Sequence, residues 1–347
     1  MFSWLKASVQ QATTPKVQQL WVFPIKSCRG TQVDESPYTA EGLEYDRQWM
    51  IVDAQSHKFL TARTLPKMVL IHPTIRRDTG QLEISVPSPL ANDSAAAAQT
   101  FSVPLAHPTT YLENPDQHPS LDHDFVVWDS PAQDGYTVGP PELHAALSAY
   151  FGREVLLIRK GLTKRSVADV PGVVHSADLD PIVGFADFYA LLLASATSLN
   201  ELNRRVAEQV PDAAAAVAAA EKHKPPIEIN RFRANVVVEG VKEPWEEDGW
   251  KQVRIGDELI EVGFRCARCM LPSVDPETAI RDKQIPDAVM TDRAVQPLSA
   301  PKVCFGMLAS PAKREGGILR VGDPVTVLES YPRPTSGPYI RNEDRTN

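Results

Sequence analysis

The segment Arg265-Cys266-Ala267-Arg268-Cys269-Met270-Leu271-Pro272 sets two thiols three residues apart, each preceded by an arginine. Thiolates are the reactive and metal-binding form of cysteine, and a neighbouring guanidinium favours them. Three chemistries compete for the pattern. A redox dithiol needs its C-x-x-C at the N-terminus of a helix that follows a strand. A strand is expected before Cys266, but Pro272 and Asp275-Pro276 break up the residues after Cys269. A structural zinc site needs four ligands, and Cys28 and Cys304 reach that number only as single, distant residues. A lone thiolate on a softer redox-active metal needs one cysteine and cationic neighbours. Two thiols buried at a strand end are the unreactive alternative, and spacing alone favours it.

Three basic segments accompany the cysteines. Pro24-Ile25-Lys26-Ser27-Cys28-Arg29-Gly30 reads as a turn at a strand end. There an ammonium, a hydroxyl and free amides can face a phosphate, although the P-loop spacing is absent. Arg47, in Glu44-Tyr45-Asp46-Arg47-Gln48-Trp49, is expected to open a strand. Arg233 and Asn235, in Arg231-Phe232-Arg233-Ala234-Asn235, are expected to open another and to share a face. Arg233 would clamp a phosphate and Asn235 would offer a donor and an acceptor to a heterocycle. Each segment by itself reads as well as a basic turn or a surface ion pair. The sequence has no G-x-S-x-G, H-E-x-x-H or G-x-G-x-x-G motif, and its eight histidines are scattered.

The elements that must hold these residues are mostly strands. Val17–Phe23, Gln48–Asp53, Lys58–Ala62, Met68–Ile75, Gln81–Val86 and Asp124–Trp128 read as strands, with hairpins at 54–57 and 76–80. Residues 90–123 read as an irregular insertion. Pro141–Phe151 is expected to be a helix, with proline in its first turn and Gly152 beyond its end. Val155–Ile158 is a strand, and 159–187 a long loop. Ser198 with Glu201 three residues on suggests a capping box, and 213–220 a second short helix. Asn235–Glu239, Val253–Ile255, Leu259–Val262, Ile318–Val321 and Val325–Leu328 return to strands, the last two flanking Gly322-Asp323-Pro324. The fold class is α+β, mostly β: a barrel-like core with flanking helices. The expected division is a flexible 1–16, an N-terminal β-rich domain at 17–140, a second domain at 141–330 and a disordered tail at 331–347.

Composition narrows the functions. With 347 residues the chain is long enough for two domains. Its 44 acids against 36 bases give a net charge of −8, which argues against a general nucleic-acid or anionic-membrane binder. Four cysteines are too few for a disulfide framework at this length. No apolar run reaches the length of a membrane span, and the first residues lack the apolar core of a secretory signal. A cytoplasmic location is expected, with mitochondrial association as the alternative.

Taken together and in order, the motifs resemble a known family. Lys26-Ser27-Cys28-Arg29-Gly30, Tyr45-Asp46-Arg47-Gln48-Trp49, Thr61-Ala62-Arg63, Phe232-Arg233-Ala234-Asn235, Trp245-Glu246-Glu247-Asp248, Arg268-Cys269 and Val321-Gly322-Asp323-Pro324 look like a MOSC protein with its N-terminal β-barrel domain, similar to the amidoxime-reducing components. The resemblance implies a molybdenum cofactor (Mo-molybdopterin), with Cys269 as the protein's ligand to the metal. It places Ala267 and Arg268 on the cofactor from the same loop, and Lys26, Ser27, Arg47, Arg233 and Asn235 at the pterin and its phosphate. It implies reduction of N-hydroxylated small molecules (amidoximes, hydroxylamines, N-oxides). Electrons would come from a b-type cytochrome and a flavin NADH reductase. Asp275, six residues after Cys269, is a candidate proton relay, against its reading as a turn-forming Asp-Pro. The same architecture closes the molybdenum cofactor sulfurases, so a cofactor carrier is the alternative, and a zinc or dithiol C-x-x-C protein the second. Two departures stand out. Phe188-Tyr189 follows Asp187 where relatives often have small hydroxyl residues, and Leu308 sits where they can place an aromatic.

Overall fold

The computed structural model describes residues 14–88, 98–114, 116, 121–128, 132–166, 182–208, 226–281, 290–295 and 302–332. The residues before 14, the expected helix at 213–220 and the tail beyond 332 lie outside them.

A curled sheet of eight strands forms the larger core. In spatial order the strands are Thr31–Val33, Lys16–Val22, Val236–Glu239, Leu191–Ser195, Cys304–Pro311, Glu258–Ala267, Trp250–Ile255 and Val325–Ser330. The sheet curls until its two ends meet. Lys16 bridges Pro324, and Val17 N–H donates to the Asp323 carbonyl at 2.9 Å. One face of the alternating strands fills the barrel with Leu20, Leu191, Leu193, Val236, Val238, Val253, Ile260 and Met307. The other face, Leu192, Ala194, Val237 and Phe305, packs with Leu202 of the helix Ala196–Glu208. Leu191–Ser195 is therefore apolar without alternation, as expected of a strand covered on both sides.

The second core lies in the N-terminal half. Trp49–Asp53, Val155–Lys160, Gln133–Thr137 and Leu121–Phe125 form one sheet, and His72–Arg76, Gln81–Val86 and Gln99–Pro104 another. Leu82, Ile84 and Val86 point into this core, as their alternation requires. The helix Pro141–Phe151 ends on Gly152 in the left-handed region (φ 68°) and buries Leu143 and Leu147 in the same core. The architecture is α+β and mostly β. The chain does not fill the two cores in sequence order. Its first strand sits inside the eight-stranded sheet, while residues 141–160 pack with the N-terminal half.

Several local expectations change. Lys58–Ala62 makes only an isolated bridge, Val52 to Phe59. Pro66–Leu70 is a 3-10 turn, so the strand after it starts at His72. Within 90–123 there is a strand, Gln99–Pro104, and a short helix, Thr109–Glu113. The strand expected at 124–128 runs over Leu121–Phe125. Gly317–Arg320 and Val325–Ser330 do not pair with each other. The former joins Glu35–Thr39 and the latter Trp250–Ile255. Among the described residues no helix is long and apolar enough to cross a membrane.

Candidate active site

An open cleft of ≈ 860 Å³ lies where the two cores meet. All eight residues expected at a cofactor line it: Lys26, Ser27, Arg47, Arg233, Asn235, Ala267, Arg268 and Cys269. They come from four separate stretches of chain, and local backbone geometry aims each stretch. Lys26 N–H donates to the Trp49 carbonyl and Trp49 N–H to the Pro24 carbonyl, which docks the 24–30 turn beside the Trp49 strand. Ser27, Arg47 and Arg233 have positive φ (68°, 50° and 59°). A non-glycine residue there costs about 1–3 kcal/mol, so these turns hold strained positions at the cleft. Arg233 is consequently the left-handed end of the 3-10 turn Ile229–Phe232, not the opening of a strand beside Asn235.

Phe23 is the platform for the arginines. The guanidinium carbons of Arg47 and Arg233 lie 4.5 and 4.3 Å from its ring centroid. A Cβ on Gly30 would sit 2.4 Å from Phe23 Cε1, so only glycine leaves the ring its place. Arg47 is fixed by buried Asp46, by Asn235 Oδ1 at 3.1 Å and by the Arg233 carbonyl at 3.2 Å. Asn235 is consumed by the protein. Its Oδ1 also accepts from Leu192 N–H at 3.1 Å, and its Nδ2 donates to the Trp21 carbonyl at 3.1 Å. The expected reader of a heterocycle therefore positions Arg47 and ties two strands.

Asp187 organises the opposite wall, and no sequence motif marks it. Its carboxylate accepts from Lys26 Nζ, from Arg63 Nη2 at 2.9 Å and from Trp128 Nε1 at 2.8 Å. Burial alone would raise its pKa, but Lys26 and Arg63 hold it well below the usual carboxylate range. Burial lowers Lys26 to about 8, against the opposing pull of Asp187. Arg63, 4.2 Å from the Trp128 ring, is legible in Thr61-Ala62-Arg63, but the motif assigns it no role. Asp187 lies in a stretch with no periodic signal, and Trp128 is 59 residues away from it.

The two cysteines of the C-x-x-C are not equivalent. Cys266 lies in the strand Glu258–Ala267, accepts from Arg268 Nη1 at 3.0 Å, and has its pKa raised by burial despite that arginine. Arg268 spends its Nη2 on the Phe232 carbonyl at 2.8 Å. Cys269 is past the strand end, with Leu271 N 3.4 Å from its sulfur, and both cysteines line the cleft. The next element is a short 3-10 turn, Leu271–Ser273, so the helix that a redox dithiol needs is missing there. The four cysteines do not assemble into a zinc site. The one group of three potential metal ligands among the described residues is His57, Asp122 and Asp124. Cys28 is buried, its thiol pushed up to about 12, and its carbonyl accepts from Arg233 at 2.6 Å.

Asp275 is not brought to the cleft. One carboxylate oxygen accepts from Glu277 and Thr278 N–H at 2.9 and 3.0 Å, and the other pairs with Arg231 at 2.5 Å. It is the turn residue of its Asp-Pro, paired with Arg231 and outside the lining of the cleft. Phe188, Tyr189 and Leu308 all line the cleft, Phe188 with 42% of its surface exposed.

The electrostatics suit an anion. Among the described residues, the cations Lys26, Arg47, Arg63, Arg233 and Arg268 are answered by two carboxylates, Asp187 and Asp46. Arg233 Nη2 is buried with no hydrogen-bond partner among the described residues, and burial lowers Arg233 to about 9. A buried donor without a partner is costly, and a phosphate would satisfy it.

The profile of the MOSC N-terminal beta barrel domain matches residues 14–117, and that of the MOSC domain matches 180–326. The chain is also 30% identical over 331 residues to mitochondrial amidoxime-reducing component 1 of Mus musculus, covering 92% of this chain and 84% of that protein. The chain belongs to the MOSC family, in the branch with the N-terminal MOSC barrel. The Homo sapiens amidoxime-reducing component 1 is 27% identical over 334 residues, covering 92% of this chain and 84% of the relative. A molybdenum cofactor sulfurase of Drosophila grimshawi is 29% identical over 326 residues. That match covers 92% of this MOSC chain but 35% of the sulfurase, so the chain spans about a third of its length.

Proposed function

We propose that this MOSC protein is a molybdenum cofactor-dependent oxidoreductase that reduces N-hydroxylated compounds, amidoximes among them, to the corresponding amidines and amines. The observation that carries the reading is the pairing of Cys269 with a cation-rich cleft in which Arg233 has an unpartnered buried donor. A pterin phosphate fits that donor, and a thiolate fits the metal. When bound, the cofactor supplies a two-electron redox metal. Lys26, Ser27, Arg47, Arg233 and Arg268 would bind its anionic part, Cys269 its metal, and Asn235 and Asp46 would orient Arg47. Asp187 would keep Lys26 and Arg63 at the wall. Breaking an N–O bond to give N–H and water takes two electrons and two protons. Lys26 Nζ holds an exchangeable proton near neutral pH because burial brings its pKa to about 8. Electrons would arrive from outside the chain, from a b-type cytochrome and a flavin NADH reductase, in the cytoplasm or at the mitochondrion.

Metal analysis of the purified chain, followed by assay with benzamidoxime and an artificial reductant, tests this. Stoichiometric molybdenum, lost in Cys269→Ala and largely kept in Cys266→Ala, is expected, with amidine formation by the loaded protein. Bound molybdenum without turnover under any donor favours the carrier reading that the sulfurase similarity suggests. Zinc in place of molybdenum sinks both.

A further inference from the structure

Among the described residues, Phe188 is the one exposed large apolar side chain on the wall of the cleft. The other two aromatic residues there are buried. Phe232 stacks on Phe305 at 4.0 Å and carries Arg268 on its ring, and Tyr189 is 6% exposed. Phe188 has neither a ring nor a cation against it among the described residues. Its backbone is braced on both sides. Buried Arg165 donates to the carbonyls of Gly184, Ala186 and Asp187 at 3.3, 2.5 and 3.1 Å. The Asp187 carboxylate is tied to Lys26, Arg63 and Trp128, and Tyr189 is buried just ahead of the strand Leu191–Ser195. Lys26, Ser27 and Asn235 are buried as well, so the polar end of the cleft lies deep and the Phe188 ring stands at the mouth.

We propose that Phe188 is a specificity-determining residue of this cleft: its ring stacks on an aromatic ring of the substrate and selects aryl N-hydroxylated compounds over small aliphatic ones. The inference deepens the redox reading and rests on it. A cofactor anion takes the buried cations, which leaves the mouth to the substrate. A solvated ring gains by being covered with apolar surface, and gains more when the cover is another ring at stacking geometry. The braced backbone and the two torsions of a phenylalanine keep the ordering cost of that contact small. A compound carrying only methyl groups beside its N–OH leaves most of the ring in water.

Benzamidoxime and acetamidoxime, compared on the molybdenum-loaded full chain, test it in two ways. Calorimetric titration without reductant reads binding alone, because nothing turns over without electrons. Kinetics with an artificial reductant reads KM and kcat. Benzamidoxime should bind about tenfold more tightly than acetamidoxime and show a KM lower by a similar factor. Phe188→Ser should remove most of that preference, with the loss in KM and not in kcat. Phe188→Leu keeps apolar bulk without the ring and should lower the preference about threefold, whereas Phe188→Tyr should keep it. Molybdenum per chain should be the same in all three variants. An unaltered preference in Phe188→Ser would overturn the proposal, and so would loss of molybdenum there, which would assign the ring to the cofactor. Turnover of both compounds with equal affinity overturns it and leaves the redox reading standing. A binding preference that depends on Phe188, without turnover, keeps the ring site and removes the redox reading.

Discussion

Asp187 shows how much one carboxylate can govern in this cleft. It satisfies Lys26, Arg63 and Trp128 together, three residues of the N-terminal half, on a segment that leads into the eight-stranded sheet. Its folded pKa lies below the ordinary carboxylate value, so on acidification the unfolded chain takes up the proton first. Its stabilisation is thus present above about pH 4 and drains as pH falls below that. In Asp187→Asn the unfolding midpoint should fall less between about pH 5 and about pH 3 than in the wild type. Parallel curves would remove Asp187 from this role. Lys26 is lowered as well, so its contribution is complete above the ordinary lysine value and is lost as pH falls toward about 8. The two effects occupy separate windows and can be measured apart. At this scale the sequence is informative about residue types. Cys269, Arg47 and Arg233 are visible in it because thiolate and guanidinium chemistry is local. Asp187 and Trp128 are not, because a partner 59 residues away leaves no spacing to read.

The helix Ala196–Glu208 illustrates the same limit one level up. A capping box from Ser198 to Glu201 is a sound reading of the sequence, yet the helix starts earlier. Ser195 Oγ accepts from Ser198 N–H at 3.0 Å, and Glu201 pairs with Arg204 and Arg205 instead. Ser195 and Ser198 both donate to the buried carboxylate of Glu247, at 3.0 and 2.9 Å. Burial pushes the Glu247 pKa up against those hydrogen bonds. Ser195→Ala should therefore cost about 1–2 kcal/mol in urea unfolding, from the lost cap and the weakened Glu247 network. Glu201→Ala should cost less than about 0.5 kcal/mol, as a surface pair does. The reverse order would restore the capping box. The strand Leu191–Ser195 escapes detection for a related reason. A short apolar run covered on both faces carries neither period, so strand and helix look alike in it.

Across the whole molecule, the order of strands decides what can fold alone. Lys16–Val22 lies between Thr31–Val33 and Val236–Glu239, while Val155–Lys160 lies between Trp49–Asp53 and Gln133–Thr137. Residues 141–330 expressed alone should lack cooperative unfolding by calorimetry, because the sheet is missing two strands and keeps an unpaired edge. Supplying residues 14–44 in trans should restore a transition. A cooperative transition for 141–330 by itself would show that the barrel tolerates the loss. The sequence by itself determined the mostly β class, the helix Pro141–Phe151 with its glycine stop, and the residue types of the cleft, because periodicity, capping and side-chain chemistry act over a few neighbours. The tertiary structure decided that Cys266 is held within a strand by Arg268 while Cys269 lies past the strand end, that Asn235 serves Arg47, that Asp275 serves a turn, and that Asp187 binds the wall together. Those outcomes depend on strand pairing between distant segments, where the energy comes from contacts that no local pattern records.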